Sequence, residues 1–210
     1  MRTLADARLY GILDLGYVSA ADAPQIAREM LRGAVDLIQL RAKNHSLAKI
    51  AELGRELHEI TADASIPLII NDHAEVARDI GAEGVHVGQD DQSIAGARLV
   101  TGADCIIGKS THSLAQAEAA ALESPDYIGF GPLIATPTKP DYVPIGLDEI
   151  ARVHELVSFP IFCIGGIKLD NLAQVIAAGA ERVVIVSGLL QALDIVKYAR
   201  ACKDLLRKSM

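Results

Sequence analysis

Eight short apolar runs rich in β-branched residues recur along the chain, and most are followed by a longer stretch with apolar positions every three or four residues. The runs predict strands at Leu9 to Leu13, Val35 to Leu40, Leu68 to Ile70, Gly84 to Val87, Cys105 to Ile107, Tyr127 to Phe130, Ile161 to Ile164 and Val183 to Val186. The amphipathic stretches predict helices over Ala23 to Leu31, Leu47 to Ala62, Ala74 to Ile80, Ser113 to Leu122, Leu147 to Leu156, Leu169 to Ala178 and Leu189 to Leu205. A shorter helix is expected near Ser93 to Val100. Near-continuous hydrophobicity within the runs indicates strands buried on both faces, as in a parallel sheet. Eight βα units of about 25 residues each fit an α/β fold of the closed (β/α)8 TIM-barrel kind, a single domain over residues 1–210. The structural rival is an open doubly wound sheet, but units of this size leave no room for its customary insertions and extra edge elements.

In such a barrel, chemistry belongs at the C-terminal ends of the strands, and polar residues gather there. The second run ends in Gln39-Leu40-Arg41-Ala42-Lys43, the third in Asn71-Asp72, the fourth in Gln89-Asp90-Asp91 and the fifth in Lys109-Ser110-Thr111-His112. The sixth runs into the segment from Gly131 to Lys139, the seventh into Gly165-Gly166 and the eighth into Ser187-Gly188. Taken singly, Asp72 reads as a helix cap and Asp91 as a turn residue. On neighbouring strands they converge, and convergent carboxylates are a means of holding Mg²⁺ against a phosphorylated substrate.

Two anions are implied. Gly165-Gly166 would let the backbone approach a phosphate closely, and Ser187-Gly188 would open the last helix, whose dipole favours negative charge. The plain alternative is a tight strand-to-helix turn. Arg41, Lys43 and Lys139 converge with the acidic tips and suit a diphosphate, although each alone also reads as a solvated surface charge. A unit-charge pair at about 4 Å is worth roughly 4 kcal/mol at an effective dielectric of about 20. Two or three cations with Mg²⁺ are therefore enough to hold such a group.

A net charge of −7 without Lys/Arg runs argues against a nucleic-acid or anionic-membrane surface. No apolar stretch approaches the roughly 18 residues of a membrane span, and the N-terminus lacks a signal-peptide layout, so a cytoplasmic protein is expected. Cys105, Cys163 and Cys202 are isolated among apolar neighbours and read as reduced packing residues. The number of subunits is left open, a homo-oligomer among the options.

In their order and spacing, the segments 39–43, 70–72, 84–91 and 107–112 resemble successive signatures of the thiamine phosphate synthase family. So do Asp126 to Pro132, Thr136-Pro137-Thr138-Lys139 and Ile164 to Ile167. The resemblance covers nearly the whole chain. It implies a (β/α)8 barrel that joins a hydroxymethylpyrimidine diphosphate to a thiazole phosphate, plain or carboxylated, giving thiamine phosphate and pyrophosphate. It makes Asp72 and Asp91 the Mg²⁺ ligands. Gln39, Leu40, Arg41, Ala42, Lys43, Asn71, Ser110 and Lys139 fall on the pyrimidine and its diphosphate, and Thr136, Thr138, Gly166, Val186 and Ser187 on the thiazole phosphate side, with Pro137 also among the substrate-binding residues. Arg41, Lys43, Ser110 and Lys139 are the residues expected to act on the departing charge. Two neighbours depart from the family pattern, which more often has Arg at His73 and a small apolar residue at Lys109.

The implied reaction is a dissociative displacement: the pyrimidine methylene loses pyrophosphate and the thiazole nitrogen captures the resulting cation. No nucleophilic side chain is needed. A thiazole tautomerase of the same superfamily would instead need an acid/base residue, for which His112 is the candidate, but it has no use for the diphosphate and metal set. A catalytically silent phosphate-binding module would be expected to have lost part of that set. Tyr10 reads either as a ring-packing or a core residue, and the segment Ala135 to Pro144 as a candidate lid.

Overall fold

Hydrogen-bonded pairing closes the sheet: β1 (Leu9–Asp14) and β8 (Val183–Ile185) are neighbours, with Leu9, Tyr10 and Gly11 opposite Val183, Val184 and Ile185. The computed structural model describes residues 4–136 and 143–208. Between the closing strands lie β2 (Leu37–Arg41), β3 (Leu68–Asn71), β4 (Gly84–Val87), β5 (Ile106–Thr111), β6 (Tyr127–Phe130) and β7 (Ile161–Cys163), all parallel and in chain order. An open doubly wound sheet is thereby excluded. The helices are α1 (Ala23–Arg32), α2 (Leu47–Asp63), α3 (Ala74–Ile80), α4 (Ile94–Thr101), α5 (Leu114–Glu123), α6 (Glu149–Leu156), α7 (Leu172–Ala177), α8 (Ser187–Leu190) and α9 (Ile195–Lys208).

Strand alternation divides the interior into two cores. One side of each strand faces the lumen, where Tyr10, Ile12, Leu37, Ile69, Tyr127, Phe162 and Val184 pack together. The other side packs under the helices, through residues such as Leu13, Ile38, Leu40, Ile70, Val85 and Ile107. Tyr10, Tyr127 and Phe162 meet edge to face, with centroids 5.4–5.9 Å apart, and form an aromatic floor beneath the C-terminal mouth. Gly108 makes room for this floor, because a methyl group there would overlap the Tyr127 ring.

An acidic residue directly before each of β2, β4 and β6 ties the opposite end of the barrel together. Asp36 accepts from the N–H groups of Arg8 and Leu9 at 2.8 and 2.9 Å, Glu83 from Leu68 at 2.8 Å, and Asp126 from Ile107 at 2.8 Å. Each also has a side-chain partner: Lys203 for Asp36, His58 for Glu83 and Arg98 for Asp126. The Asp36–Lys203 pair is almost wholly enclosed and anchors α9 to the first two strands. Burial would raise the Asp36 pKa, but the Lys203 and backbone hydrogen bonds outweigh it and hold the carboxyl below its ordinary range.

Three elements differ from the sequence pattern. The fifth strand runs to Thr111, so Lys109, Ser110 and Thr111 are strand residues rather than a loop, because β5 keeps pairing with β6 up to Phe130. The predicted last helix is two: Asp194 accepts from the Lys197 N–H at 2.9 Å and starts α9 afresh, leaving α8 as one turn. That turn is too short for the helix dipole expected at Ser187 to be large. Leu169 is not helical either; its N–H donates to the Tyr198 hydroxyl at 2.7 Å. Among the described residues, no helix is long and apolar enough to cross a membrane.

Candidate active site

The C-terminal mouth holds an open pocket whose lining mixes apolar side chains with convergent polar groups. Gln39, Arg41, Asn71, Ser110, Thr136, Gly166, Val186 and Ser187 all line it. Their strand positions explain why. Gln39 and Arg41 share the lumen-facing side of β2 with Leu37, and Ser110 shares that of β5 with Ile106. Leu40 and Ala42 have the opposite parity and bury their side chains in the helix-facing core, so only their backbone is left to face a ligand. Pro137, Thr138 and Lys139 lie outside the described residues, as does the middle of the candidate lid. Its described flanks are pinned together: Ile145 and Gly146 donate to the carbonyls of Pro132 and Leu133 at 2.8 and 3.1 Å.

Lys43, Asp72 and Asp91 form a cluster beside Asn71. The Lys43 ammonium is 2.7 Å from Asp72 Oδ2, and Asp91 Oδ2 accepts from the Gly88 N–H at 2.7 Å. Asp72 sits in the left-handed region at φ 68°, with its N–H on the His86 carbonyl at 2.8 Å, which turns its side chain out of the strand. Asp72 and Asp91 lie close enough to influence each other's ionisation. Burial, together with the adjacent Asp91 carboxylate, raises the Asp72 pKa against the pull of Lys43. For Asp91, burial is outweighed by hydrogen bonds from Asp72 and Gly88 and by the charges of Lys43 and Lys109, so its pKa is lowered. Two adjacent carboxylates offer hard oxygen donors close enough to share a divalent cation, which fits Mg²⁺. Among the described residues, no group of three or more His, Cys, Asp or Glu side chains gathers to hold a metal.

Sequence reasoning passed over three residues at the pocket. Asp14, the last residue of β1, lines the pocket and pairs with Arg41 at 2.6 Å; its acidic strand-end position resembles that of Asp72 and was the available signal. His86 and Tyr127 belong to a buried hydrogen-bond chain. Gln39 Nε2 donates to the Tyr10 hydroxyl at 2.6 Å, the Tyr10 and Tyr127 hydroxyls are 3.0 Å apart, and His86 bridges Tyr127 at 3.0 Å and the Ser110 hydroxyl at 2.9 Å. Burial raises the pKa of both tyrosines, so they remain neutral phenols that donate hydrogen bonds. A polar residue inside an otherwise apolar strand, as in Gly84-Val85-His86-Val87, was the signal for His86. His112 also lines the pocket, with Nδ1 donating to the Gly131 carbonyl and its backbone N–H held by Gln116.

Across the mouth, Gly165 and Gly166 have φ of 97° and 67°, in the region glycine favours. Leu133 and Ile134 donate to the carbonyls of Ile164 and Gly165, which presses this turn against the start of the β6–α6 loop. A methyl group on Gly165 would overlap Pro132, and one on Gly166 would lie 2.7 Å from Ile134. Asn171 braces the turn from outside, donating to the Gly166 carbonyl at 2.9 Å.

The chain has close relatives. It is 41% identical over 195 residues to the thiamine-phosphate synthase of Shouchella clausii, an alignment covering 92% of this chain and 93% of that one. It is 39% identical over 203 residues to the thiamine-phosphate synthase of Chloroflexus aurantiacus, covering 96% and 94%. Among solved structures, thiamine phosphate pyrophosphorylase from Pyrococcus furiosus superposes with a TM-score of 0.88 at 29% identity, covering 97% of this chain and 96% of that one. A 3-hexulose-6-phosphate synthase, at 17% identity and a TM-score of 0.71, shares the fold. A family model described as thiamine monophosphate synthase matches residues 9–189, and with relatives of this identity along nearly the whole length, the chain belongs to that family.

Proposed function

We propose that this barrel, a single domain, couples a pyrimidinylmethyl diphosphate to a thiazole phosphate, releasing pyrophosphate and forming thiamine phosphate in the cytoplasm. Family membership carries the activity, that of a thiamine-phosphate synthase, a transferase acting on small molecules. The observation that supports its location is the polarity of the pocket mouth. Arg41 lines the pocket on one side, with the Lys43–Asp72–Asp91 cluster outside the lining next to Asn71, and a glycine turn with Ser187 lines it on the other. Two anionic substrates therefore have separate places on one face.

Mg²⁺ held by Asp72 and Asp91 would supply positive charge to the diphosphate oxygens. Arg41 at the end of β2 and Lys43 just beyond it hold the same group, and Lys139 joins them. As the methylene–oxygen bond breaks, its electron pair leaves with the diphosphate, and these cations stabilise the growing negative charge. Ser110 follows that charge by hydrogen bonding. If the buried chain donates from Gln39 through Tyr10 and Tyr127 to His86 Nδ1, then His86 Nε2–H donates to Ser110, whose own proton is left to point outward. The aromatic floor of Tyr10, Tyr127 and Phe162 keeps water from reaching the carbocation from below. The thiazole nitrogen captures that cation, while Gly166, Val186, Ser187 and the segment from Thr136 to Thr138 hold the thiazole and its phosphate. No general base is required, which suits the position of His112 on the Gly131 carbonyl as a loop-ordering residue.

Incubating the purified protein with both substrates, with and without Mg²⁺, tests the reaction: thiamine phosphate and pyrophosphate in equal amounts, only with the metal, are expected. An isomerised thiazole as the sole product would overturn it. The thiazole side has its own test in Gly165→Ala. Strain at φ 97° and overlap with Pro132 are expected to cost about 1–3 kcal/mol of stability. By displacing the turn, the change should also weaken thiazole phosphate binding, measured by calorimetry, more than pyrophosphate binding.

A further inference from the structure

Asp14 is out of place on charge grounds. Its carboxylate is 2% exposed at the tip of β1, at the mouth of a pocket read here as holding two anions, where it repels a diphosphate and offsets the charge of Arg41. Both of its oxygens are nevertheless committed. Oδ2 accepts from Arg41 Nη1 at 2.6 Å, and Oδ1 accepts from the Gly16 N–H at 2.9 Å. The pairing follows from strand register: Asp14 and Arg41 are direct partners on β1 and β2, with both side chains on the lumen side. The Leu15 N–H donates to the Arg41 carbonyl at 2.9 Å, so the backbone holds the same two tips together.

An unrestrained arginine has several rotatable bonds to fix when it grips a ligand, and its planar fork is useful only when correctly aimed. A buried carboxylate on one guanidinium nitrogen fixes the fork in advance and leaves the other donors to the pocket. We propose that Asp14 is a positioning residue for diphosphate recognition, holding Arg41 in its binding orientation. The proposal rests on the reading that Arg41 holds the diphosphate. It assigns Asp14 no contact with substrate, and it sets orientation above net charge.

Asp14→Asn is the informative variant, because the amide oxygen still accepts from Gly16 while its NH₂ cannot accept from Arg41. Calorimetry with inorganic pyrophosphate in the presence of Mg²⁺, and separately with thiazole phosphate, is applied to the full chain carrying Asp14→Asn, Arg41→Gln or both. Asp14→Asn is expected to weaken pyrophosphate binding about fivefold to tenfold and to leave thiazole phosphate affinity within about twofold. Added to Arg41→Gln, it should cause no further loss, since its effect passes through the arginine. Losses that multiply in the double variant would mean that Asp14 only supports the loop, and would overturn the proposal. So would native or tighter pyrophosphate binding in Asp14→Asn, which would mean that charge outweighs orientation. If Arg41→Gln alone leaves pyrophosphate affinity intact, the diphosphate reading of Arg41 fails first and the proposal with it. Asp14→Ser, which also keeps an acceptor for Gly16, gives the same comparison should the Asn variant not fold.

Discussion

Asp91→Asn is expected to lower Mg²⁺-dependent pyrophosphate release by a factor of about a hundred to a thousand, the scale on which loss of one group stabilising transition-state charge is felt. The substitution is chosen for what it keeps. Asp91 Oδ2 accepts from the Gly88 N–H, and an asparagine oxygen can do the same, so the β4–α4 loop retains its turn. What disappears is one of the two charges that would hold the cation, leaving Asp72 with Lys43 at 2.7 Å to neutralise it. Because Asp91 is an exposed loop residue, the melting temperature should stay within a few degrees of the parent. Steady-state kinetics across a Mg²⁺ titration and a thermal melt check both halves. Undiminished turnover would remove Asp91 from the metal site.

The largest stability effect is expected at the other end of the barrel. Lys203→Met leaves Asp36 enclosed with its charge partner gone, and breaking a buried pair in this way costs about 3–5 kcal/mol. For a chain of this size that corresponds to a fall in Tm of roughly 10 °C. Adding Asp36→Asn should recover most of the loss, because a neutral amide oxygen can still accept from the Arg8 and Leu9 N–H groups without a buried charge. The sign of the pH dependence follows from the depressed Asp36 pKa. The parent gains this stability above the unfolded carboxyl pKa and loses it as the pH falls through the lower folded value. Lys203→Met should flatten that acid limb. Turnover per folded molecule should be unchanged, since the clasp lies opposite the active-site mouth. A Tm within about 2 °C of the parent would show that the pair does not anchor α9.

These two predictions also mark what the sequence could and could not convey. Eight apolar runs separated by amphipathic stretches were enough for the barrel, because a doubly buried parallel strand leaves a local pattern and so does a helix with one dry face. The carboxylate pair was legible for a similar reason: Asp72 and Asp91 end adjacent runs, and adjacency in a barrel follows chain order. The Asp36–Lys203 clasp was not, because its partners lie far apart in the chain and nothing in either one's local sequence points to the other. Lys109 to Thr111 were misplaced as loop because Gly108 and three polar residues hide a strand whose extension depends on pairing with β6. The continuous helix expected from Leu189 was wrong because apolar spacing carries across the break, while the Asp194 start of α9 is a local capping feature. The Gln39–Tyr10–Tyr127–His86–Ser110 chain shows the limit most clearly. It draws one residue from each of five strands, and only the closed lumen brings them together.

Within the site, burial and charge divide the labour between the two acidic residues already at hand. Burial and the adjacent Asp91 raise the Asp72 pKa against the pull of Lys43, whereas hydrogen bonds and the charges of Lys43 and Lys109 lower that of Asp91. A divalent cation arriving with a diphosphate would compete with Lys43 for Asp72 and release the ammonium toward the phosphates. The arrangement links metal occupancy to the presence of the leaving group, which is the central physical claim for this barrel.

A crystal structure grown with inorganic pyrophosphate and Mn²⁺ in place of Mg²⁺ tests that claim most directly. The account predicts an anomalous peak bonded to carboxylate oxygens of both Asp72 and Asp91, with pyrophosphate oxygens completing its coordination beside Arg41 and Lys43. A metal bound elsewhere, or pyrophosphate seated at Gly166 and Ser187 with Asp72 still paired to Lys43, would contradict it.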